Sequence, residues 1–124
     1  MKAKIFAQIQ SMRIIVHQLL NMEQSKLNEE QSKDIHHILS ALDSIEQRTS
    51  ILDTICKTDT ERMQVLHDLT GPINGVIGYL YILEQEYSAP LNENQQQLIQ
   101  SIETKIRQLY QYISNQLLSP QIDS

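Results

Sequence analysis

Leu27-Asn28-Glu29-Glu30-Gln31-Ser32-Lys33-Asp34-Ile35-His36-His37-Ile38 returns 64 positions later as Leu91-Asn92-Glu93-Asn94-Gln95-Gln96-Gln97-Leu98-Ile99-Gln100-Ser101-Ile102. Leu-Asn-Glu, the Gln and both isoleucines recur in place, and further along Ser50 falls on Ser114. The apolar positions Ile35, Ile38, Leu42 and Ile45, continued by Leu52 and Ile55, advance by threes and fours. Ile99, Ile102, Ile106, Leu109 and Ile113 do the same, with Leu98 beside them. That stepping is the apolar stripe of a bundle helix.

Outward from these two stripes lie two more, Ile5, Ile9, Met12, Val16 and Leu19 before the first, and Leu66, Ile73, Ile77 and Leu80 before the second. They correspond more faintly, at a shift of 61 that sets Leu19 on Leu80, Met12 and Val16 on Ile73 and Ile77, and Glu23-Gln24 on Glu84-Gln85. The smaller shift implies a turn longer by three residues around Tyr87-Ser88-Ala89-Pro90. Thr58 with Glu61 forms the signature of a helix-starting capping box. A helical hairpin alone buries little, whereas two packed together close a core. The expected fold is all-α: an antiparallel four-helix bundle of two tandem hairpins about a pseudo-twofold axis. Residues 1–56 form the first hairpin and 57–124 the second, together one bundle domain.

Bulk properties agree. The 124 residues suffice for one modest core. Three Gly and three Pro leave room for few turns. A net charge of -5 without a basic run argues against a nucleic-acid partner. No apolar stretch nears the roughly 20 residues that span a bilayer, and polar Gln8 and Gln10 interrupt any signal-like start. The single cysteine, Cys56, has no internal partner for a disulfide, so a cytoplasmic location is expected.

The stretch His67-Asp68-Leu69-Thr70-Gly71-Pro72-Ile73-Asn74-Gly75-Val76-Ile77-Gly78-Tyr79 breaks local rules inside the third helix. Pro costs a helix interior about 3 kcal/mol and Gly about 1 relative to Ala. One step past Leu66, His67 is expected at the edge of the buried stripe. Gly71, Asn74 and Gly78 follow on its line, a track without bulk along which another backbone could approach the imidazole. A neutral imidazole is a competent nucleophile towards phosphorus, and Asp68 beside it could orient the ring or handle a proton.

These residues resemble the dimerisation and histidine-phosphotransfer domain of histidine kinases, a likeness that covers about residues 60–118. The resemblance implies that His67 is the phosphoacceptor, Asp68 its acid/base neighbour and Pro72 a helix kink. Thr70, Gly71, Asn74, Gly75 and Gly78 would form the docking face for the receiver domain of a response regulator, on the lower half of the third helix and the facing part of the fourth. Mg2+ would come with that receiver, since no carboxylate cluster here looks like a metal site. The chain departs from the family in three ways. Thr70 stands where a basic residue is usual, two places before the Pro. Gly71 replaces the polar residue that helps dephosphorylate a receiver, so that activity is not expected. The 124 residues contain no Gly-rich nucleotide lid, so ATP-dependent autophosphorylation by this chain is not expected. At the 61-residue shift Phe6 and Ala7 replace His67 and Asp68, which makes the first hairpin a structural half. His67-x-Leu69-x-Gly71 also resembles, less closely, the stand-alone histidine phosphotransfer domains.

The expected function is therefore histidine-containing phosphotransfer in a two-component relay, between His67 and a receiver aspartate. Two rival readings are a non-catalytic kinase-like module that binds a histidine kinase or response regulator, and a fragment of a complete sensor kinase. A monomeric pseudo-dimer or a homodimer would satisfy the bundle. The plain alternatives are a rim histidine at 67 with Pro72 opening a new helix, and glycines that ease helix packing. His17, His36 and His37 read as solvated or boundary residues, and Tyr110 and Tyr112 as bundle rim.

Overall fold

A computed structural model describes residues 2–21, 27–50, 58–85 and 91–118. They form four helices: α1 (Lys2–Leu20), α2 (Glu29–Thr49), α3 (Asp59–Glu84) and α4 (Glu93–Leu118). Each packs against its two neighbours in the cycle α1–α2–α3–α4–α1, and the α2–α3 interface is the most extensive. Neighbours run antiparallel. His37 near the start of α2 stacks on Tyr79 near the end of α3, and Lys4 at the start of α1 lies over Tyr112 towards the end of α4. The fold is the expected four-helix bundle.

Helix starts are set locally. Gln31 N–H donates to Asn28 Oδ1 at 2.7 Å, and Asn28 N–H donates to Gln31 Oε1 at 2.9 Å. Asn92 and Gln95 repeat that capping box at the same distances. Both glutamines are nearly fully buried, at 2% and 3% exposure, which these reciprocal bonds make tolerable. Thr58 and Glu61 close the expected box at the start of α3.

The core is aliphatic and reaches all four helices. α2 buries Gln31, Ile35, Ile38, Leu42, Ile45 and Thr49, and α4 buries the residue 64 positions after each of them. Each fully buried aliphatic side chain stabilises by about 1.5–3 kcal/mol. The same 64-residue shift holds for the other two helices. Ile5, Ile9, Met12, Val16 and Leu19 of α1 correspond to Leu69, Ile73, Val76, Leu80 and Leu83 of α3, all buried. The expected 61-residue shift is thereby corrected. It would set Ile5, Ile9 and Val16 on Leu66, Thr70 and Ile77, which are only half-buried. The two shifts differ by three residues, almost one turn, so they resemble each other in sequence while burial separates them. With one shift throughout, the two connections are equal in length, residues 21–28 and 85–92, and no longer turn is required. The expected turn at 87–90, the stripe extension to Leu52 and Ile55, and Cys56 lie outside the described residues.

Polar contacts differ between the halves. Arg13 of α1 bridges to Asp43, at 2.5 Å, and to Glu46 of α2. Burial works against its charge, but hydrogen bonds to Glu46 and Asp43 outweigh it and hold the guanidinium above its ordinary pKa. The α3 position one repeat later is Ile77, half-buried against the core. Among the described residues, no helix is long and apolar enough to cross a membrane.

Candidate functional site

The buried line of α3 is Val65, Leu69, Ile73, Val76, Leu80 and Leu83, with Leu66 and Ile77 packed on its flank. This moves the stripe one position from the expected Leu66 and changes where the histidine points. His67 lies two residues from both Val65 and Leu69, about 200° around the helix from each. It therefore faces outward rather than along the rim, and its side chain is 84% exposed.

Gly71, Asn74 and Gly78 share this outward line and are exposed. Thr70 and Gly75 do not; they are half-buried to either side. The Thr70 hydroxyl donates to the Leu66 carbonyl at 2.7 Å, one turn back in its own helix, so it is not directed at a visitor. The half-buried Asp68 carboxylate accepts from Gln64 Nε2 at 3.0 Å, while His67 Nδ1 lies 3.8 Å from Asp68 Oδ1, beyond hydrogen-bond range. In the free protein Asp68 sits close to the ring without fixing it.

Pro72 lies inside α3, which continues from Asp59 to Glu84. It does not open a new helix. Lacking an N–H, it leaves the Asp68 carbonyl without its usual partner four residues on. The three glycines add weakness without an internal cause. None has positive φ, and a Cβ added at Gly71, Gly75 or Gly78 would meet no atom within 4 Å. Close packing inside the bundle therefore does not account for them.

Three large apolar side chains flank the same outward face: Met63 at 61% exposure, one turn before His67, and Tyr81 and Ile82 at 62% and 48%, one turn past Gly78. Sequence reasoning did not select them. Helical spacing alone sets Met63 four residues before His67 and Ile82 four residues after Gly78, but their exposure depends on which stripe α3 buries. The remaining histidines are surface groups, as expected: His17, His36 and His37 are exposed, and His36 Nδ1 lies 2.8 Å from the Ser32 carbonyl. Tyr110 is exposed and Tyr112 half-buried, both on the rim. Among the described residues, no group of three or more His, Cys, Asp or Glu side chains could hold a metal ion.

The family model of the His Kinase A (phospho-acceptor) domain matches residues 63–124, half of the chain, a span that begins just before His67 and includes α3 from Met63 onward and all of α4. No curated protein and no solved structure matches the chain.

Proposed function

Because the chain belongs to the His Kinase A (phospho-acceptor) domain family, and so to the proteins of two-component signalling, we propose that it is a phosphotransfer protein in which His67 exchanges a phosphoryl group with the aspartate of a receiver domain. The observation that carries this reading is the exposed His67 on a helix weakened by glycines that nothing inside the bundle requires.

Receiver docking would use the α3 face along Gly71, Asn74 and Gly78, where the absent side chains let the incoming backbone bring its aspartyl phosphate to the ring. Met63, Tyr81 and Ile82 offer apolar contacts at the ends of that face. The lone pair of Nε2, the ring nitrogen away from Asp68, forms the N–P bond as the P–O bond to the receiver's aspartate breaks. The electron pair goes to that carboxylate. The proton on Nδ1 stays with the ring, whose new positive charge faces Asp68. Positioning and charge neutralisation supply most of the catalysis in such a transfer. The metal that the reaction uses would arrive in the receiver.

Histidine kinases build this bundle from two chains. Here one chain supplies both hairpins, and at the 64-residue repeat the counterparts of His67 and Asp68 are Ala3 and Lys4. On this reading the protein is a single-chain pseudo-dimer with one phosphoacceptor. The test is incubation with a receiver carrying labelled aspartyl phosphate. The protein should gain acid-labile, base-stable label that is lost in His67→Gln. Receiver binding without label in either protein would favour a docking module instead.

A further inference from the structure

The first hairpin meets the histidine face through α2. His37 stacks on Tyr79 with ring centroids 4.8 Å apart. Eleven residues are three turns, about 17 Å, and return a helix position to nearly the same direction. Because α2 and α3 run antiparallel, that step leads from His37 to Arg48 and from Tyr79 to Asp68, on the same flanks and at the same level. The internal repeat gives this register independently. Lys4 lies 4.3 Å from the centre of the Tyr112 ring, and one repeat away the counterparts of Lys4 and Tyr112 are Asp68 and Arg48. Two unrelated contacts thus set Arg48 of α2 across from the acid that adjoins His67.

Arg48 is exposed, its Nε donates to Ser44 Oγ at 3.2 Å, and it enters no ion pair among the described residues. On α3, the residues within one turn of His67 on the exposed side are Met63, Gln64, Asp68, Thr70 and Gly71, none cationic. Arg62 is already paired with Asp59. Among the described residues of its own helix, a phosphoryl group on His67 would find no cation that is not already paired.

Resting on the reading of His67 as phosphoacceptor, we infer that Arg48 is the phosphoryl-binding cation of the site, contributed by the hairpin that lacks a histidine. The guanidinium presents a planar fork of donors that matches phosphoryl oxygens. As the N–P bond forms and the P–O bond to the receiver's aspartate breaks, Arg48 holds the oxygens of the transferring group and neutralises their charge. It neither gains nor loses a proton. The first hairpin is then part of the reaction as well as of the core.

The test is single-turnover transfer from a phosphorylated receiver to the full chain, over a range of receiver concentrations, with wild type, Arg48→Gln and Arg48→Lys. In Arg48→Gln the maximal rate should fall about tenfold or more, with the half-saturating receiver concentration changed less than about twofold. Arg48→Lys should recover part of the rate, because it restores charge without the fork. Thermal melts should coincide, as the side chain is exposed. A wild-type maximal rate in Arg48→Gln, or a loss confined to the half-saturating concentration, would overturn the assignment. Failure of wild type to take label from any receiver would instead remove the reading of His67, and this inference with it.

Discussion

His37 and Tyr79 stack nearly parallel, 12° between planes and 4.8 Å between centroids, and this contact registers α2 against α3. His37 belongs to the first hairpin and Tyr79 to the second, so the stack lies across the junction of the two repeats. Tyr79 is half-buried against the core while His37 is exposed. Replacing His37 with Ala should lower unfolding stability by about 0.5–1.5 kcal/mol, the range for aromatic pairs beyond simple area burial. Denaturant titration checks this.

The glycines should trade stability against docking. At Gly71 and Gly78 a methyl group meets open space, so Gly→Ala should stabilise the helix by about 0.5–1 kcal/mol each. The same methyl groups stand on the proposed approach to His67 and should weaken receiver binding. Chemical denaturation and receiver titration of the double variant should move in opposite senses.

The matched capping boxes give a test of the repeat that does not involve function. Asn28→Ala and Asn92→Ala each remove one side of an identical reciprocal pair. Each should cost about 0.5–2 kcal/mol, and the two costs should agree closely. A large difference in denaturant midpoint would mean that the halves are not energetically equivalent.

Glu84 gives a pH signature. Burial, and then the neighbouring charge of Glu103, raise its carboxyl above the usual 4.5. The folded state therefore holds this proton more readily than the unfolded chain does. The associated stability is full below the unfolded pKa and is lost as pH rises through the folded one. Glu84→Gln should raise Tm at pH 7, and the gain should disappear at about pH 4. Thermal melts at the two pH values decide it.

The bundle was legible because the second and fourth stripes carry their repeat in identical residues, Leu-Asn-Glu and Gln at the caps and isoleucines in the core. The first and third helices share few identities, among them Ile9 with Ile73 and Leu19 with Leu83. There a shift of 61 matched chance likenesses almost as well as 64, and only burial distinguishes the two. The histidine box was legible as a motif, but its direction was not. Leu66, Leu69, Ile73, Val76 and Ile77 crowd the middle of α3 with aliphatic residues, and a one-position change of stripe carries His67 from rim to outer face. Arg48 could not be found from sequence alone, because its closeness to Asp68 depends on how α2 packs on α3.

The central claim is that this chain is a relay protein with one phosphoacceptor. Intact-mass measurement after incubation with an excess of phosphorylated receiver tests it directly, under alkaline conditions that preserve phosphohistidine. One added phosphoryl group per chain, mapped to His67 and absent in His67→Gln, is the predicted result. A chain that gains no mass while still binding the receiver, or that carries its label on another residue, would contradict it.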